Sequence, residues 1–127
     1  MLWKLKNPIR FWILFSALLL FTSTAASAEQ DGRHHDLLRN AIEAAGRGEC
    51  PETLMTPLLI GACEDQQPGI GQRISSLGKI RKLRFMGIQN SQMGPAEVYR
   101  VTHERGTMTW MINTDGNGKI LVFYTPG

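Results

Sequence analysis

The side chains able to do chemistry are few and poorly matched to one another. Residues 29–127 hold Cys50 and Cys63, His34, His35 and His103, and Ser75, Ser76 and Ser91. A serine nucleophile needs a base and a third group that orients the base. None of these serines is expected to sit in a GxSxG or SxxK frame that supplies such a setting, and Ser75-Ser76 reads as the exposed side of a helix. A zinc centre wants about four ligands, yet the cysteines and histidines show no CxxC or HxxxH spacing. His34-His35 reads as a solvent-exposed linker, with transition-metal binding as its alternative. Asp115-Gly116-Asn117-Gly118 opens like a calcium loop, but its fifth position is Lys119 and no acid follows, so it reads as a hairpin turn. One acid–base option remains, a small enzyme that moves a proton with His103 and Glu104, or with Glu97 or Asp115. Against it, neighbours along a strand point to opposite faces, and His103 is expected to end a strand half exposed. No cofactor is implied, and the first expectation is a protein that is not an enzyme.

The cysteines point to a compartment. Residues 1–10 carry Lys4, Lys6 and Arg10 and no acid, residues 11–21 (FWILFSALLLF) are apolar except for Ser16, and residues 22–28 (TSTAASA) are small. This is a secretory signal with cleavage expected after Ala28. Its apolar core falls well short of the roughly 20 residues of a spanning helix, so no stable membrane insertion is expected after cleavage. The expected address is periplasmic or secreted. Export into an oxidising space makes a Cys50–Cys63 disulfide the expectation for the only two cysteines.

Cleavage also changes the charge argument. Of the 14 Lys+Arg, three sit in the leader, which leaves eleven cations against the 11 Asp+Glu. The sequence pI near 9.1 is therefore a property of the signal, and no nucleic-acid partner is implied. Residues 29–127 suffice for one domain that buries roughly 60–65% of its unfolded surface, which excludes a two-domain enzyme.

The elements that must position these residues follow from periodicity. Leu38, Ala41, Ile42 and Ala45 recur at helical spacing from Asp36, with Gly46 or Gly48 as terminator. Cys50-Pro51-Glu52 restarts the chain, and Pro57 is expected to confine Glu52–Ile60 to one short helix or two broken turns. Ile70, Ile74 and Leu77 mark one face of a third helix that ends at Gly78, its regular part beginning near Pro68-Gly69. The period then changes. Residues 79–89, 96–104, 107–114 and 119–125 alternate and are rich in β-branched and aromatic residues. Arg105-Gly106 and Asp115-Gly116-Asn117-Gly118 read as tight hairpin turns, while Gly94-Pro95 is expected to lengthen neither flanking strand. Helices over residues 35–78, then strands over 79–125, predict an α+β fold with two to three helices packed on a four-stranded antiparallel sheet.

The faces of that sheet follow from alternation. Met108, Trp110 and Ile112 are expected to meet Leu38, Ile42, Ile70 and Ile74 in the core. The opposite face is the candidate binding face, with Met86, Arg100, Met111, Leu121 and Phe123. Lys79, Arg81, Lys82 and Arg84 place four cations in six residues, which reads as protection of an edge strand, with docking of an acidic partner or anionic envelope polymer as the alternative.

Leu77-Gly78-x-Ile80, Phe85-x-Gly87, Val98-Tyr99-Arg100-Val101-Thr102, Gly106-Thr107-Met108-Thr109-Trp110-Met111-Ile112 and Asp115-Gly116-x-Gly118-Lys119-Ile120 resemble the small cystatin-like or NTF2-like domains of exported bacterial proteins. Similar segments are attached to secreted serine hydrolases of the β-lactamase type. The resemblance spans roughly Leu77–Pro126. It implies a curved sheet wrapped partly around N-terminal helices, used for ligand pockets, subunit contacts or accessory roles, and it carries over no catalytic residue. The chain departs from the hydrolase-linked examples in lacking a hydrolase portion and in its cysteine pair. The function expected is an exported binding or accessory module that engages a protein or small-molecule ligand of the cell envelope, with the small enzyme or an inhibitor or immunity-type protein as alternatives.

Overall fold

Helix α1 (His35–Gly46) forms where Leu38, Ala41, Ile42 and Ala45 line one side, and all four are buried. Asp36 in its first turn complements the positive end of the helix. The computed structural model describes residues 32–127; the leader expected over residues 1–28 lies outside them. Helix α2 (Pro57–Gln66) opens on Thr56, whose hydroxyl accepts from the Leu59 N–H. Pro57 occupies the first turn, where its missing N–H costs nothing and its fixed φ suits the helix. The expectation that Pro57 confines a Glu52–Ile60 helix is therefore corrected, because the proline begins the helix and turns precede it. Cys63 consequently lies inside α2.

Helix α3 (Gly69–Leu77) ends at Gly78, which has φ +80°, a conformation that β-carbon-bearing residues avoid. Gly71 is buried against α1, and a β-carbon there would stand 2.8 Å from the Ala45 carbonyl oxygen. That close approach needs glycine.

Four strands follow, β1 (Ile80–Ser91), β2 (Gly94–His103), β3 (Gly106–Thr114) and β4 (Ile120–Tyr124), paired antiparallel in the order β1-β2-β3-β4. The α+β class and the four-stranded antiparallel sheet thus stand. Gly94-Pro95, expected to break the strands, instead belongs to β2, with Ser91 facing Gly94 and Asn90 facing Pro95. The β2–β3 register ends at Glu97–Ile112, so at Pro95 the strand is paired on one side only, a position that tolerates proline.

One core joins helices and sheet. Trp110, Tyr99, Val101, Met108, Ile112 and Leu83 meet Leu38, Ile42 and Ile74, with Ile70 partly buried against them. The segment before α2 closes the far side of β4. Thr56 N–H donates to the Ile120 carbonyl at 3.1 Å, Ile120 N–H donates to Leu54 at 2.8 Å, and Lys119 Nζ donates to the carbonyls of Glu52 and Thr53 at 2.8 and 2.9 Å. The edge of the sheet at the start of β4 is thereby capped. Among the described residues no helix is long and apolar enough to cross a membrane.

Candidate functional site

Cys50 and Cys63 form a disulfide with Cα atoms 5.9 Å apart. It ties the connection after α1 to the middle of α2. Cys63 and Trp110 line the same small cavity, about 80 Å³, walled largely by Ala45, Leu59, Ile70 and Phe123.

His103 is 3% exposed, which corrects the expectation of a half-exposed strand end. Its Nδ1 lies 2.9 Å from the Gly78 carbonyl oxygen. A carbonyl can only accept, so Nδ1 carries a proton. Nε2 is walled off from solvent and has no hydrogen-bond partner. Glu104 follows β2 in the turn to β3, and its carboxylate accepts from the Lys79 N–H at 2.9 Å and faces Arg81 at 3.7 Å. The Lys79 N–H foremost, then the charges of Arg81, Arg105 and Lys79, holds the Glu104 carboxyl below its ordinary value against a smaller opposing effect of desolvation. The two side chains bond different partners, His103 the Gly78 carbonyl and Glu104 the Lys79 N–H. As packed, His103 Nε2 has essentially no solvent-exposed surface from which to exchange a proton with a substrate.

Other acid–base candidates are engaged in holding the fold. Glu97 is buried, and its carboxylate accepts from the backbone N–H groups of Arg33 and His34 and from the Tyr99 hydroxyl at 2.8–3.0 Å. Asp115 Oδ1 accepts from the N–H groups of Asn117 and Lys119, both at 2.9 Å, which fixes the β3–β4 turn. His35 Nδ1 is 3.1 Å from Asp36, and among the described residues no three His, Cys, Asp or Glu side chains converge.

Ser76-Leu77-Gly78-Lys79 does have the S-x-x-K spacing of some serine acyltransferases, which corrects the expectation that no serine lies in such a frame. In those enzymes serine and lysine share one helical turn. Here the helix ends at Leu77 and Gly78 turns the chain away before Lys79, while the Ser76 hydroxyl donates to the Arg73 carbonyl at 2.7 Å. The spacing does not assemble a nucleophile and base.

A cleft of about 580 Å³ opens between α1, α3 and the adjoining ends of β1 and β2. Ile42, Ile74, Ile80 and His103 line it, with Glu43, Arg47, Lys79 and Glu104 of both signs around them.

The sheet face turned away from the helices is more one-sided. Register partners share a face, so its rows can be read directly. Lys82, Thr102 and Thr107 form one row; Arg84, Arg100 and Thr109 the next; Val98, Met111 and Tyr124 the third, beside Gly87; and Asn113 faces Val122. Three cations and no carboxylate occupy these rows. Lys82, Arg84 and Arg100 take part in none of the ion pairs among the described residues. Tyr124 is 56% exposed.

Arg100 and Met111 thus lie where alternation put them. Met86 sits at the β1 bulge between Phe85 and Gly87, exposed at the flank of the face. Leu121 falls at the β4 irregularity, outside the register. Phe123 is a correction, since it pairs with Ile112 on the core face and stacks on Trp110 with ring centroids 4.4 Å apart. The register shift at Asn113–Thr114 lets Ile120 reach the core while Val122 and Tyr124 join the outer face. Arg84 and Tyr124 were missed as members of this face. For Arg84 the signal was present, because Lys82 and Arg84 alternate with Leu83 and Phe85. No protein-family model, no curated protein and no solved structure matches the chain.

Proposed function

We propose that the chain is an exported, non-enzymatic binding module of the periplasm or cell exterior that engages a partner protein through the outer face of its sheet. The observation that carries this reading is the sheet face turned away from the helices, with Lys82, Arg84 and Arg100 beside an apolar row of Val98, Met111 and Tyr124, while the helices pack on the opposite side. The disulfide supports an oxidising compartment. The engagement of His103, Glu97, Glu104 and Asp115 in structural hydrogen bonds supports binding over acid–base catalysis. The resemblance to cystatin-like and NTF2-like domains belongs to the same reading, in which a curved sheet serves as the contact surface.

Site-specific photo-crosslinking tests it. A benzophenone side chain at Thr109 should give one discrete protein adduct in envelope extract, identifiable by mass spectrometry, whereas the same group at Arg73 on α3 should give none. Adducts of equal yield from both positions, or from Arg73 alone, would discard the sheet face as the working surface.

A further inference from the structure

Arg84 and Arg100 are direct register partners on neighbouring strands, which lie about 4.8 Å apart. Like charges so placed repel and lower stability, and no carboxylate of the described residues pairs with either guanidinium. Two guanidinium groups side by side form a fork for oxyanions, because each presents several donors in a plane and binds a carboxylate through parallel charge-assisted bonds. Lys82 extends the positive charge by one row, about 7 Å along the strand, and the hydroxyls of Thr102, Thr107 and Thr109 stand in the same two rows as neutral donors.

The face changes character at the next row, where Val98, Met111 and Tyr124 carry no charge. A uniform polyanion gains nothing from that apolar row. A second copy of this chain would set cations against cations. The occupant that matches both halves carries carboxylates at one end and apolar side chains at the other. Resting on the sheet-face reading above, we propose that the partner presents an acidic polypeptide segment whose adjacent carboxylates are received by Arg84 and Arg100 and whose following apolar residues pack on Val98, Met111 and Tyr124.

The test uses the purified protein with its disulfide intact and three fluorescent probes. These are a twelve-residue peptide with Glu-Glu at one end and Leu-Leu-Phe beyond it, the same peptide with Gln for Glu, and a heparin oligosaccharide. Anisotropy titrations should show binding of the Glu peptide that weakens with added salt and falls by about tenfold for the Gln peptide, the loss expected for a charge-assisted contact. Arg84→Gln and Arg100→Gln should each weaken binding of the Glu peptide by about tenfold while leaving the melting temperature equal or higher, since the like-charge pair is relieved. Met111→Ser should weaken the peptide and not heparin. Failure of the Glu peptide to bind, with the protein folded by circular dichroism, would overturn the proposal. Heparin binding as tightly as the Glu peptide, with Met111→Ser immaterial to both, would overturn it in favour of a polyanion. Equal binding of Glu and Gln peptides, both sensitive to Met111→Ser, would overturn the acidic partner alone and leave the sheet-face reading standing.

Discussion

Glu97 shows how a carboxylate can sit inside a small core and still stabilise it. Its oxygens receive two backbone N–H groups just ahead of α1 and the hydroxyl of Tyr99, so one side chain satisfies donors from two elements. Glu97→Ala should strand those donors and cost about 2–4 kcal/mol, measurable as a lower urea midpoint with amide exchange accelerated first at the start of α1. Glu104 is a different case, solvent-facing and bonded to the Lys79 N–H. The Lys79 N–H above all holds its carboxyl below the ordinary glutamate value in the folded state. A depressed folded value means the unfolded chain takes up a proton first, so this stabilisation is complete above about pH 4.5 and is lost as pH falls through the lower folded value. Glu104→Gln should therefore flatten the acid limb of the stability profile, seen in thermal melts from neutral pH down to about pH 3, and leave stability at pH 7 lower than wild type. Trp110 was legible as a core residue because Met108 and Ile112 flank it at period two. Glu97 was not, because nothing in a string of letters says that a carboxylate will meet the N–H groups of residues some sixty positions upstream.

Among the elements, the disulfide has the widest reach. It pins the turn that leads through Leu54 and Thr56 to the bridge with Ile120, so its loop and the cap on β4 are mechanically one unit. Reduction should cost about 2–4 kcal/mol in denaturant unfolding, and hydrogen exchange should show the Thr56 and Ile120 amides losing protection before those of β2. Helices and strands were legible from their periods, and so was the antiparallel order, because Arg105-Gly106 and Asp115–Gly118 leave no room for a crossover. The face assignment of β4 was not legible. Residues 120–124 are apolar without exception, so alternation carries no information there, and the register shift beside Asn113 and Thr114 reverses the parity that a regular strand would have. Pro57 and Pro95 misled for a related reason. A proline is equally at home in the first turn of a helix or on a one-sided strand as in a break, and the neighbours that decide between these lie far along the chain.

At the scale of the molecule, the sheet sets a packed core face against the face proposed for recognition, and two substitutions on adjacent residues of one strand should report on each. Trp110→Ala removes a side chain 1% exposed at the centre of the core and should cost about 3–5 kcal/mol, visible as lost or sharply lowered cooperative melting. Met111→Asp, on the opposite face, should leave the melting temperature within a few degrees and abolish the crosslink from Thr109. Trp3 and Trp12 lie within the residues 1–28 expected to be cleaved, so Trp110 is the sole tryptophan of residues 29–127. It shares a cavity wall with half of the disulfide and stacks on Phe123. Disulfides at short range quench excited indoles by electron transfer. The folded, oxidised protein should therefore be dim at indole wavelengths, and mild reduction should brighten it while the circular dichroism of the helices is still native, so the protein carries its own optical gauge of redox state.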